Sequence, residues 1–200
     1  MKKYKLTKTK KETSFGTLYQ IEALESFGSV VKGDKGGFIS KEENLSQEGD
    51  AWVYGDALVY GDARVFGNAW VYGDARVYGD ARVFGNALVY GNAWVYGDAW
   101  VYGDARVFGD ALVYGDALVY GDARVFGNAL VYKKIKLVGG YFYHTKEKSE
   151  KIEMVDTYSD DYETLAYNPK IELLEEEKTA GKRVKIKIDG GQIIEGEIVE

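Results

Sequence analysis

A mainly β protein built on a three-sided parallel β-helix is predicted by three features of the sequence. A six-residue unit repeats without interruption, small and bulky side chains alternate within each unit, and Gly-Asp or Gly-Asn closes every copy but the last. From Ala51 to Tyr132 there are fourteen consecutive copies: Ala, then Trp, Leu or Arg, then Val, then Tyr or Phe, then Gly, then Asp or Asn. Lys133 and Lys134 replace the closing pair of the last copy. Alternation at period two is strand language, and a turn every six residues forces each short strand to bend. A chain that bends this often with sides alternating in and out winds into a solenoid, with three sides making one 18-residue coil. Ala and Val then face inward, while Trp, Leu, Arg, Tyr and Phe face outward. Fourteen sides make a little under five coils, a prism roughly 22 Å tall.

Within each unit, Val53 is followed four positions later by Ala57, Val59 by Ala63, and so on down the chain. This pairing of an aliphatic and a small residue resembles the hexapeptide repeat of left-handed β-helix proteins. The resemblance implies left-handed winding, with both positions facing the core.

Composition shifts sharply near residues 50 and 133, because the repeat holds neither Lys nor Glu while the flanks are rich in both. Three regions are therefore expected: a hairpin and cap at 1–50, the β-helix at 51–134, and a small α+β domain at 135–200. In the first, six lysines interleave with Tyr4 and Leu6 between Met1 and Lys11, and Thr17 to Leu24 supplies a second strand. An imperfect coil is expected to begin near Ile39, with Leu45 in the Ala register and Gly49-Asp50 matching the turn. Such a cap hides the unpaired strand edges that would otherwise join rods end to end. Beyond Tyr132, Ile135 to His144 reads as a strand pair or a last irregular coil turning at Gly139-Gly140, and Ile152 to Val155 as a short strand. Asn168-Pro169 opens a helix through Leu173 to Lys178, and Arg183 to Ile188 with Gln192 to Val199 makes a hairpin.

A second resemblance rests on Gly16-Thr17-Leu18-Tyr19-Gln20-Ile21, Gly33-Asp34-Lys35-Gly36-Gly37-Phe38-Ile39, Glu43-Asn44-Leu45-Ser46 and Gly49-Asp50-Ala51-Trp52-Val53. These runs are similar to hexapeptide-repeat proteins carried by bacteriophages and prophages, a family mostly without assigned activity. The resemblance implies a viral or prophage origin and supplies no catalytic residue.

Sorting the sides by threes assigns the outward residues to faces. The first face carries Tyr60, Tyr78, Tyr96, Tyr114 and Tyr132, with Trp94 and Arg76 beside them. The second carries Tyr54, Tyr72, Tyr90, Phe108 and Phe126 alongside Trp52, Trp70, Arg106 and Arg124. The third has Phe66, Phe84, Tyr102 and Tyr120 alongside Arg64, Arg82, Trp100 and Leu118. Stacking of these rings one coil apart stabilises the rod, and it still leaves ring edges and tryptophans in water. Tyr60, Tyr78, Tyr96, Tyr114, Trp52, Trp70, Trp94 and Trp100 are accordingly the interface candidates, for self-association as a dimer or trimer and for a host protein. The vertical pairs Arg64 with Arg82 and Arg106 with Arg124 are anion-binding candidates suited to a nucleotide phosphate, against the alternative of cation-π cover for the rings. The corner column Asp62, Asp80, Asp98 and Asp116 reads as solvated turns in preference to a cation site.

Zero cysteines exclude disulfides and thiolate metal sites, and no metal or cofactor is expected. A formal net charge of −6 disfavours nucleic acid as a partner. Without an apolar run near 18 residues or a signal-peptide pattern at Met1, no membrane association is expected, and the chain is placed in the cytoplasm, that of the host if phage-encoded.

Hexapeptide-repeat proteins include many acyltransferases, and the resemblance implies a histidine base beside a coil with an extruded loop. The repeat here has no histidine and no insertion, and the single histidine is His144. The sequence alone thus points to a non-enzymatic, phage-derived solenoid that acts by binding a protein, such as a host defence component. The alternatives are a nucleotide-sequestering protein and an acyltransferase relative.

Overall fold

A computed structural model describes residues 2–132, 136–144, 172–173, 183–187 and 193–197. Its centre is a parallel β-solenoid in which each repeat contributes one two-residue strand, from Trp52–Val53 to Leu130–Val131, with Arg124–Gly127 extended to four. Strands 18 residues apart pair in register, Trp70 with Leu88, Leu88 with Arg106, Arg106 with Arg124, so three parallel sheets run along the rod. Every Ala and Val from Ala51 to Val131 is buried and forms one continuous core. The corners follow from glycine. At Gly79 φ is 70°, and a Cβ there would lie 3.0 Å from the nitrogen of Gly97 on the next rung, a conformation and an approach that favour glycine.

The rod has about six turns, one more than the repeat alone predicts, because both flanks supply rungs. At the top, Phe38↔Leu58, Ile39↔Val59 and Leu45↔Val65 pair across twenty residues instead of eighteen. Leu45 therefore takes a valine place and not the alanine place that counting by six gives it. The corner before Ala51 is longer, and the extra length is used: Gln47 accepts hydrogen bonds from the backbone N–H of Lys3 (2.9 Å) and Tyr4 (3.3 Å). At the bottom, Leu118↔Lys136 keeps the step of eighteen, while Arg124↔Tyr141 and Val125↔Phe142 close in seventeen. The segment ending at His144 is thus the last irregular coil.

The cap begins as the expected hairpin, β1 (Tyr4–Thr13) antiparallel to β2 (Gly16–Ala23). The second strand pairs with β3 (Lys35–Ile39), which joins the first parallel sheet at Leu58. Gly36 and Gly37 lie so close to the Val53 and Ala57 carbonyls that a side chain at either would overlap them. A 3-10 turn at Glu42–Asn44 buries Asn44, whose amide donates to the Gly61 and Ala63 carbonyls (3.0 and 2.8 Å) and whose Oδ1 accepts from Ser40 and Lys41. Lys3 is likewise buried, its Nζ bonded to the Gly49 and Ala51 carbonyls and set 4.5 Å from the Phe27 ring centre. Burial lowers its pKa to about 8, against the pull of Asp50 and Glu25.

Near the C-terminus, Arg183–Lys187 and Ile193–Glu197 form the expected antiparallel hairpin. Glu172–Leu173 pairs with Lys187 and Ile186 as a third strand. This corrects, at Glu172–Leu173, the helix expected from Asn168-Pro169: a sheet edge is there to accept these two residues as strand. The rest of that expected helix, and the strand expected at 152–155, lie outside the described residues. No α-helix occurs among the described residues, and none there is long and apolar enough to cross a membrane.

Candidate functional site: the outward faces of the solenoid

Because Val points inward, the residues on either side of it point outward, and exact repetition stacks like on like. Tyr60, Tyr78, Tyr96, Tyr114 and Tyr132 form one ladder with ring centres 4.8–5.3 Å apart and planes within 9° of parallel. Tyr72, Tyr90, Phe108 and Phe126 form a second, and Phe66, Phe84, Tyr102 and Tyr120 a third. Their faces cover one another, so the ladders present ring edges outward. Burial raises the phenol pKa of Tyr78 and Tyr96, and the tyrosines stacked against them add to the shift.

The interface candidates do not share one environment. Trp52 is 1% exposed, enclosed edge-on by Tyr4 and Phe27. Tyr60 is 6% exposed beneath Phe15 and Leu18 of the hairpin. Both are therefore part of the cap's own interior, which corrects their assignment as interface residues. Phe15 also stacks on Tyr78, 6.3 Å between centres. Trp70 and Trp94 are half-buried, and Trp100 is 36% exposed.

The arginines divide by their register partners. Arg76 lies over Trp94 (4.7 Å), Arg82 over Trp100 (4.9 Å) and Arg124 over Tyr141 (5.0 Å). Arg64 pairs in register with Arg82, and Arg106 with Arg124. Two of the four anion candidates, Arg82 and Arg124, are thus engaged as cation-π cover, with Arg64 and Arg106 exposed on the adjoining rungs.

The three corners differ in a way the unit alone hides. One column interleaves amides with acids: Asn68 donates to Asn86 (3.1 Å), and Asn86 donates to Asp104 (2.9 Å). In a second, Asn92 donates to Asp110 (2.9 Å). The third carries aspartate in four successive positions, Asp62, Asp80, Asp98 and Asp116, before Lys134 takes the closing place of the last copy in the sequence. Lys41 reaches Asp62 at 2.6 Å, and that hydrogen bond holds the Asp62 carboxyl below its ordinary pKa. Asp80, Asp98 and Asp116 line, with Arg82, Trp100 and Leu118, an open groove of about 440 Å³ on the third face. Among the described residues no group of three or more His, Asp or Glu converges so as to hold a metal ion. Sequence reasoning placed this column by counting eighteens. It missed Lys41 and Phe15, whose contacts depend on how the cap docks.

The single histidine, His144, closes the last described strand of the rod, opposite Gly127.

Comparison with known proteins agrees with this architecture. The YdcK beta solenoid repeat family matches residues 57–73, 69–84, 75–90, 81–97, 87–103, 99–115 and 105–121, all inside the repeat. The chain is a parallel β-solenoid repeat protein. It is also 39% identical over 62 residues to the uncharacterized acetyltransferase YdcK of Escherichia coli strain K12. That match covers 27% of this chain and 19% of the relative, so the similar segment spans about a fifth of the relative's length. The similarity overturns the non-enzymatic reading: the named relative is an acetyltransferase. The absence of histidine from the repeat pointed the other way, but it speaks only for the repeat and not for the flanks.

Proposed function

We propose that this chain is an acyltransferase relative in which the solenoid is the scaffold of the catalytic unit, wound left-handed as the hexapeptide pattern implies. The observation that carries the proposal is the 39% identity over 62 residues to a protein named as an uncharacterized acetyltransferase. The fold supports it in two further ways. The stacked rungs form a rigid wall on which a donor and an acceptor can be held, and positioning is a large part of rate enhancement in bimolecular transfer. His144 is the candidate general base, since it is the only histidine in the chain and it sits at the end of a rung. Half-buried Trp70 and Trp94 favour a homo-oligomeric active form, in which neighbouring subunits cover the faces that carry them.

The experiment is release of free thiol from acetyl-CoA by the full chain, presented with a panel of amine and hydroxyl acceptors. Turnover with at least one acceptor, reduced about a hundredfold or more by His144→Ala, is the expected result. No turnover with any acceptor, or a His144→Ala variant as active as the parent, would overturn the proposal. Light scattering tests the oligomer separately: a monomer at every concentration removes it.

A further inference from the structure

On the third face the charge changes sign along the rod. Its rungs are those of Arg64, Arg82, Trp100, Leu118 and Lys136, each paired in register with the next. The first rung is positive, because Asp62 at its leading corner is already held by Lys41 at 2.6 Å and Arg64 is added to that pair. The second is balanced, Arg82 against Asp80. The third and fourth are negative, since Asp98, Asp104, Asp116 and Asp122 flank Trp100 and Leu118 with no cation in either unit. The fifth is positive again at Lys136, with Lys133 and Lys134 adjoining it in the sequence. Above them all, the 3-10 turn Glu42–Asn44 leads into Leu45, which pairs with Val65; there Lys2 holds Glu42, and Glu43 is exposed. Beside these charges runs the ladder of Phe66, Phe84, Tyr102 and Tyr120, and Trp100 is 36% exposed.

We infer that two copies of this chain pair through the third face with their rods antiparallel, about a twofold axis lying between the rungs of Arg82 and Trp100. Read from the other end, the face presents the opposite signs. Reversal sets Arg64 against the partner's Asp116, Arg82 against the partner's Asp98, and Lys136 against the partner's Glu43. A twofold contact is self-complementary, so each of these occurs twice. A parallel pairing would level rungs of like sign. Along the middle, ring edges of one ladder meet those of the other and Trp100 is covered. The other faces lack the pattern. On the first, Arg76 is the one charged residue at an outward strand position of the repeat, and Phe15 of the hairpin lies over Tyr60 and Tyr78. On the second, both arginines stand at the lower end. A side of six residues at about 3.3 Å each and five rungs about 4.8 Å apart give about 500 Å² per copy, less than the about 800 Å² of a standard interface. The dimer is therefore reversible and sensitive to salt. The inference is independent of acyl transfer and uses a face other than those that carry Trp70 and Trp94.

Sedimentation velocity on the full chain, from micromolar to millimolar concentration and at low and physiological salt, tests it. The parent should dimerise, and more weakly as salt rises. Arg82→Glu and Asp98→Arg should each raise the dissociation constant about tenfold or more, because each brings like charges together twice. Mixing these two variants in equal amounts should restore a dimer as tight as the parent's, since the mixed dimer holds one native and one reversed pair, both matched. Arg106→Glu, on the second face, should leave the dimer unchanged. Circular dichroism verifies that each variant folds. A parent that stays monomeric at millimolar concentration and low salt overturns the inference, and so does a mixture no tighter than either variant alone. An assembly that persists equally in Arg82→Glu and Asp98→Arg also overturns it, and leaves the faces of Trp70 and Trp94 to account for the oligomer.

Discussion

The top of the rod and its middle are built from the same unit, yet they treat their outward residues in opposite ways. Trp52 and Trp100 occupy the same place in their repeats, and the first is sealed beneath Tyr4 and Phe27 while the second stands at the surface. Tyr60 and Tyr96 occupy the same place on one ladder, and only the first lies under the hairpin. Inside, nothing distinguishes the two regions, for Val53 and Val101 are both fully buried. The repeat decides what is in the core, and the cap decides which outward residues become core as well.

Stability measurements can break this comparison. Trp52→Ala should cost about 3–5 kcal/mol, in the range for a fully buried aromatic, whereas Trp100→Ala should cost under about 1 kcal/mol. Chemical denaturation of the two variants checks the difference, and equal losses would mean that the cap does not seal the first rung. Val83→Ala in the middle should cost about 2 kcal/mol, from lost burial and the cavity left behind, and Val53→Ala at the top should cost as much. At the corners, Gly79→Ala should cost roughly 1–2 kcal/mol, because φ is 70° and the next rung is in close contact. Gly139→Ala, with open space around it, should be near neutral by the same measurement.

The smallest effect sharpens the comparison by pH. The folded-state pKa of Lys3 lies at about 8, below its ordinary 10.5. Between these values the unfolded chain binds more protons than the folded one, so stability rises as pH rises from about 8. Above pH 10 the buried Tyr4 acts in the other direction: its phenol pKa is pushed up by burial, the unfolded chain ionises first, and stability falls. The melting temperature should therefore climb between pH 7.5 and 9.5 and then decline, and Lys3→Met should flatten the climb. A climb that survives Lys3→Met would place its source elsewhere.

Much of the fold was legible because it is dictated locally. Alternation assigns Ala and Val to the interior, glycine assigns the corners, and counting by eighteen finds the ladders and the aspartate column without reference to any distant contact. What was not legible depends on contacts across the chain. The burial of Trp52 needs Tyr4 and Phe27, and the shifted place of Leu45 follows from a corner lengthened around Gln47, which receives the N-terminal strand. The strand at Glu172–Leu173 was hidden by a helix signal at Pro169, since only pairing with Ile186 and Lys187 reveals it. The groove could be found by counting, but Arg82 lying on Trp100 could not, because it depends on which way a flexible side chain turns.

The central claim is the three-sided coil that brings every eighteenth residue together, and the absence of cysteine allows a direct measurement by engineered cross-linking. Arg64→Cys with Arg82→Cys places two thiols on paired strands of adjoining rungs, about 4.8 Å apart between backbones and within reach of a disulfide. Arg64→Cys with Arg76→Cys places them twelve residues apart, on different faces. The account predicts rapid intramolecular oxidation of the first pair and none of the second. Cross-linking of the second pair in preference to the first would contradict it.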